Sequence, residues 1–526
     1  MKACKFSPTL ILLAAVAVAI PAHSQDVLTY RNNNARTALD AKETILTPSN
    51  VTASTFGKLF VLSVDGKVDA QPLYLSAVTI AGGTHNVLIV ATEHDSVYAF
   101  DADSGAPYWH VTALKSGETT SDDRGCSQVE PEIGITSTPV IARPVGSNGV
   151  IYTVAMSKDS SGAYHQRLHA LDAASGAELY KGPVDISAKY PGTGDNSSGG
   201  YVIFDPSQYK ERSGLLLSNG TVYLTWASHC DIRPYTGWIM AYNSTKLTQT
   251  YVLNLTPNGN EGAIWGSGAG LTLDNSGNMF VLDANGLFDT KLNSSGFPTS
   301  GDYGNAFLRL STKGGLSVVD YFEMDNEQSE NDGDVDLGSG GALLLPDQKD
   351  SAGTTWQLTA GAGKDGNLYL INRNSMGKFN SGSNKIYQEL AGALPGGLWA
   401  SPAYYNGRLY YGPVGSPIFA FQFKNAKLLT APAAKSVNTF AFPGATLSVS
   451  SNNGANSILW ATENTNPAVL HAYAPSTLTE LYNTNQASGG RDNFGDGNKF
   501  ITPTIANGKV YVGTTNGVGV FGLLSK

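Results

Sequence analysis

Side chains able to do chemistry recur at comparable places along this chain of 526 residues, beside stretches of alternating apolar residues. Glu93, His94 and Asp95 stand together in "TEHDSVY", Glu130 and Glu132 flank Pro131, and His229 and Asp231 flank Cys230. Asp336 closes an acidic stretch, Lys364 precedes Asp365, and Trp265 and Trp399 lie in "IWGSGAG" and "LWASPAY". Carboxylates and imidazoles can hold a cation or accept a proton. An indole face can stack on a planar ligand or a sugar, and a lysine can pair with an anion.

Each group has a competing structural role. Asp95 suits a turn that caps backbone amides, a single His229 seldom makes a metal site, and Trp265 and Trp399 can fill gaps between strands. The acidic stretch from Asp325 to Gly341 has Leu337 where an EF-hand loop needs glycine, so it is expected to be a solvated loop, with Asp336 beside the next strand. No Gly-rich phosphate loop, Gly-x-Ser-x-Gly elbow or Cys-x-x-Cys-His motif occurs.

The elements that must position these groups are announced by a repeat. "VYAFDADSGAPYW", Val97 to Trp109, returns as "LHALDAASGAELY", Leu168 to Tyr180. Both read as hairpins in which Asp101 and Asp172 accept backbone N–H bonds and Gly105 and Gly176 take positive φ. A small-residue strand with Pro and a Val/Tyr-rich strand precede the second hairpin and recur near Leu398 and Phe500. Four strands at a spacing of roughly 45 to 65 residues is the rhythm of a propeller blade. Seven such units run from residue 67 to 486, and the tail from 491 has only three strands. "FGKLFVLSV", Phe56 to Val64, carries the pattern of the missing fourth. The expected fold is all-β: an eight-bladed β-propeller of four-stranded antiparallel blades, closed by N- and C-terminal strands. In such a ring the groups named above would converge on one face.

Composition agrees, with 41% hydrophobic and only 15% charged residues, too few charges for a helix-rich surface. Lys2, Lys5, the run Leu10 to Ile20 and the small residues Ala22 and Ser24 read as a cleavable signal peptide over residues 1–24. Residues 25–526 then form a single domain, secreted or periplasmic, with no membrane span and expected to be monomeric. Cys126 and Cys230 are the only cysteines left after cleavage and are expected to pair in an oxidising compartment. A net charge of −9 argues against nucleic acid.

The turns "AFDADSGAPYW" and "ALDAASGAELY", with "TPTIANGKVYVGTTNGVGVFG" at the end, resemble the pyrroloquinoline quinone (PQQ) repeat of quinoprotein alcohol dehydrogenase-like propellers. For enzymes of that family the resemblance implies a planar, triply carboxylated quinone over a Trp, calcium as Lewis acid and a carboxylate base. This chain has no adjacent Cys-Cys pair, and its proposed face shows few Arg or Lys to hold quinone carboxylates. The sequence therefore favours a binding or interaction module for a protein, glycan or cell-surface component, without a resident cofactor. The alternative is a PQQ- and calcium-dependent oxidoreductase.

Overall fold

The computed structural model describes Met1 and residues 25–525. The segment read as a signal peptide, with Cys4, lies outside them apart from Met1. Among the described residues the chain is almost wholly β, with one short α-helix, Glu327–Asp332, and no helix long and apolar enough to cross a membrane.

Eight sheets of four or five strands follow one another along the described chain. The first joins Leu73–Ile80, Gly83–Ala91, Ser96–Asp101 and Pro107–Thr112 in antiparallel order. The eighth takes three strands from Thr504–Ala506, Lys509–Gly513 and Gly517–Leu523, and its fourth from Phe56–Ser63. Phe56 pairs with Leu523 and Ser63 with Gly517. The N-terminal strand thus covers an edge that would otherwise be open.

The repeated hairpin turns behave as their residues dictate. Asp101 Oδ1 accepts from the amides of Asp103 and Ser104, and Gly105 takes φ 79°. Glycine is required there for a second reason: a Cβ on Gly105 would lie 2.8 Å from the Phe60 ring. The second copy repeats this contact, since a Cβ on Gly176 would lie 2.8 Å from Trp109. Phe60, from the strand completing sheet eight, therefore sits on sheet one as Trp109 of sheet one sits on sheet two.

Apolar clusters bridge consecutive sheets. One contains Ile89 of the first sheet, Ile151 of the second, and Tyr511 and Val520 of the eighth. Others join sheets two and three through Tyr152 and Trp238, and seven and eight through Trp460 and Phe521.

The N-terminal segment does more than supply one strand, which sequence reasoning did not anticipate. Val27 bridges to Tyr74 of sheet one, and Leu28 O accepts from Ile141 of sheet two. Asn34 Nδ2 donates to Leu217 O of sheet three, and Asn34 O accepts from Leu273 of sheet four. Ala35, Thr37 and Ala38 carbonyls then accept from Leu344, Tyr404 and Val449 of sheets five, six and seven. Finally Glu43 Oε2 accepts from Gly508 of sheet eight. Seventeen residues, 27–43, thus touch the innermost strands or turns of all eight sheets in chain order. The buried Arg36 clamps the crossing, donating to the carbonyls of Tyr30, Leu215 and Leu271 and to Thr29 Oγ1.

Candidate functional site

A cavity of about 260 Å³ opens where loops from several sheets meet. Lys210 enters its wall because the short strand Tyr209–Lys210 pairs with Ala227–Ser228. Its Nζ donates to Ser228 O at 2.7 Å, and among the described residues it has no carboxylate partner. Burial, with Arg212 nearby, pulls the Lys210 ammonium down to about 7. Arg212 stands two residues on, 3.5 Å from Asp69, with its guanidinium over the Phe500 ring at 4.8 Å.

On the same cavity Lys364 Nζ bonds Asp334 and Asp336, each at 2.8 Å, and lies 6.0 Å from the Trp265 ring centre. Burial raises the Asp336 carboxyl against the pull of Lys364, to about 6. Asp336 also accepts from the Asn285 amide. Asp231 sits in a left-handed turn and accepts from Ser228 Oγ and Tyr235 Oη. Aromatic rings line the remainder: Trp265 meets Phe500 edge-on, Phe500 meets Phe442, and Phe442 meets Trp399. Cys230, joined to Cys126 by a disulfide, borders the same space.

Of the residues singled out from sequence, Asp231, Trp265, Asp336, Lys364 and Trp399 line this cavity and the others do not. Glu93 occupies the expected loop but is fully buried, accepting from the Gly134 amide and Thr136 Oγ1. Burial and Asp69 push its carboxyl well up. Asp95 is likewise fully buried in a left-handed turn, and burial and Glu93 raise it. His94 turns to Glu132, which also accepts from Thr120 Oγ1, while Glu130 is exposed. His229 is buried, and burial with Lys210 and Arg124 nearby holds its ring neutral, at about 3.

Two expectations need correction. The acidic stretch is not simply a solvated loop: its middle forms the helix Glu327–Asp332 and its end buries Asp336 in the cavity, because Lys364 and the Asn285 amide receive that carboxylate. Nor is the face poor in cations, since Lys210, Arg212 and Lys364 surround the cavity. Lys210 and Arg212 stand in "YKERSG", away from the loops on which the sequence pattern places chemistry. The available signal was a knot of charge in an apolar region, directly before the inner strand Leu216–Ser218.

With this geometry in view, comparison with solved structures defines the class of fold: a β-propeller of the quinoprotein dehydrogenase type. A quinohemoprotein alcohol dehydrogenase from Comamonas testosteroni aligns with a TM-score of 0.61 at 14% identity, covering 95% of this chain and 80% of that one. One from Pseudomonas putida aligns with a TM-score of 0.61 at 13% identity, over 95% of this chain and 81% of that chain. A europium-containing methanol dehydrogenase gives 0.60 at 12% identity, covering 95% of this chain and 98% of its own. No family model and no curated protein matches the sequence.

The residues present fit a carboxylated quinone better than they fit its metal. Two indoles and two phenyl rings offer stacking faces, and three cations stand within reach of carboxylates. No group of three His, Cys, Asp or Glu side chains able to hold a metal ion exists among the described residues.

Proposed function

We propose that the eight sheets close as an eight-bladed ring and that its cavity holds a planar carboxylated quinone, making the chain a quinoprotein-type oxidoreductase. The observation that carries this is the cluster of Lys210, Arg212 and Lys364 around the aromatic walls of Trp265 and Trp399. A neutral glycan would have no use for three cations, so a planar anion suits the cavity better than the carbohydrate a binding module would take. Closure is supported by the cluster shared by the first and eighth sheets and by the segment that touches every sheet.

A bound quinone supplies a two-electron acceptor. The chain supplies stacking surfaces, counter-charges and a base. Asp336 is suited to take the proton of an alcohol, because a carboxyl held near 6 is ionised at neutral pH yet basic enough to accept it. Lys364, whose ammonium lies over the Trp265 ring, holds that carboxylate in place. We further propose export to the periplasm or medium, which a Cys126–Cys230 disulfide suits.

The test adds PQQ to purified protein and follows tryptophan quenching, then alcohol-dependent reduction of an artificial acceptor. Quenching that W265A or W399A weakens, with turnover lost in D336N, is the expected result. Absence of quenching at any PQQ concentration up to millimolar would remove this reading and return the chain to the binding modules.

A further inference from the structure

The carboxylates in and beside the cavity are already engaged. Asp336 and Asp334 share Lys364, Asp231 receives Tyr235 and Ser228, and Asp69 faces Arg212. A divalent ion would have to strip at least two of these partners, and no three suitable side chains converge among the described residues. Lys210 is the converse: a buried amine on the cavity wall with one carbonyl and no counter-ion among the described residues. A buried cation without an anion is costly unless something supplies the anion.

We propose that Lys210 takes the place of a divalent metal in this cavity, its ammonium pairing directly with a carboxylate of a planar aromatic polycarboxylate, so that ligand binding is metal-independent. The inference rests on the reading of the cavity as a quinone site but separates from it by experiment. The charged and titratable groups facing Lys210 are Arg212, Lys499, Glu93, Asp231 and His229. Arg212 and Lys499 depress it, and an arriving carboxylate reverses that balance. Because the free amine titrates at about 7, binding at pH 8 must draw a proton onto Lys210. Asp336 and Lys364 remain paired with each other and supply no equivalent uptake.

The measurement is calorimetric titration of PQQ into protein stripped with EDTA and into protein supplied with calcium, at pH 8 in two buffers of different ionisation enthalpy. The expected result is equal affinity within about threefold in the two media, with net proton uptake on binding. K210M should weaken binding about 30-fold and abolish the uptake, and its melting curve reports whether the ring is intact. K210R, which keeps the charge, should bind without uptake. Binding only with calcium overturns the metal-independent inference while leaving the quinone reading standing. No binding in either medium overturns both. Tight binding in EDTA without proton uptake also refutes the role given to Lys210, whatever the variants do.

Discussion

Arg36 and Lys210 are both buried cations that form no ion pair among the described residues, yet their surroundings differ. Arg36, beneath the sheets, spends its donors on three carbonyls and a hydroxyl. Lys210, on the cavity wall, has a single carbonyl. Burial lowers both, Arg36 to about 10 and Lys210 to about 7. A cation saturated by backbone oxygens is a structural clamp, because each carbonyl it satisfies would otherwise be orphaned. One left short of acceptors beside open space has capacity for a ligand, and the fold bears the cost of keeping it there.

The contrast breaks most readily at the clamp. R36M should lower unfolding free energy by about 4 kcal/mol in denaturant titrations, since it strands three buried carbonyls at once, two of them beside sheets three and four. A loss below about 1 kcal/mol would mean that the segment rests on the sheets without holding them.

Next in size is the C126S/C230S double variant. Its cysteines are 104 residues apart, so releasing the closed loop should cost about 3 kcal/mol by the same assay. Both thiols reacting in non-reduced, denatured wild-type protein would count against the pairing.

K210M sharpens the comparison through a change of opposite sign. Unfolding returns the amine from about 7 to its ordinary 10.5, so the unfolded chain binds a proton that the native one holds weakly. Native stability therefore rises with pH between those values, and the penalty is complete below 7. Removing the amine should stabilise the protein most near pH 6, with the gain shrinking as pH rises towards 10.5. A gain that does not vary with pH would assign the effect to packing.

The smallest effect lies at the outer turn. Burial pushes Asp101 up, but bonds from Tyr108, Ser104 and Asp103 outweigh it and hold the carboxyl at about 2. Its contribution is present above the unfolded value near 4 and disappears as pH falls through about 2. D101A should cost about 1 kcal/mol at pH 7 and nothing near pH 2, as followed by thermal unfolding.

Much of the architecture was legible in local patterns. The Asp-Ala-x-Ser-Gly turns, the alternation around them and the unpaired Phe56 strand are short-range signals, because turn chemistry and two-residue periodicity act within a few positions. The cavity was legible only in part. Trp265, Trp399 and Asp336 lie just before the first strands of their sheets and Lys364 in a loop between second and third strands, where the repeat places them. Glu93 and Asp95 occupy the loop of sheet one equivalent to that of Lys364 yet turn inward, a choice made by the Gly134 and Thr136 donors from the segment leading into sheet two and by the φ of Asp95.

The sequence by itself determined the strands, their grouping in fours and the residues of the turns, since these depend on neighbours in the chain. Only the tertiary structure decided that residues 27–43 would thread past all eight sheets, because their partners are carbonyls and amides carrying no side-chain signature. It decided too that Lys210 and Lys364 would line one aromatic cavity. Their charges lie 154 positions apart in sequence, and only the packing of one sheet against the next brings them to one space and sets how much water each retains.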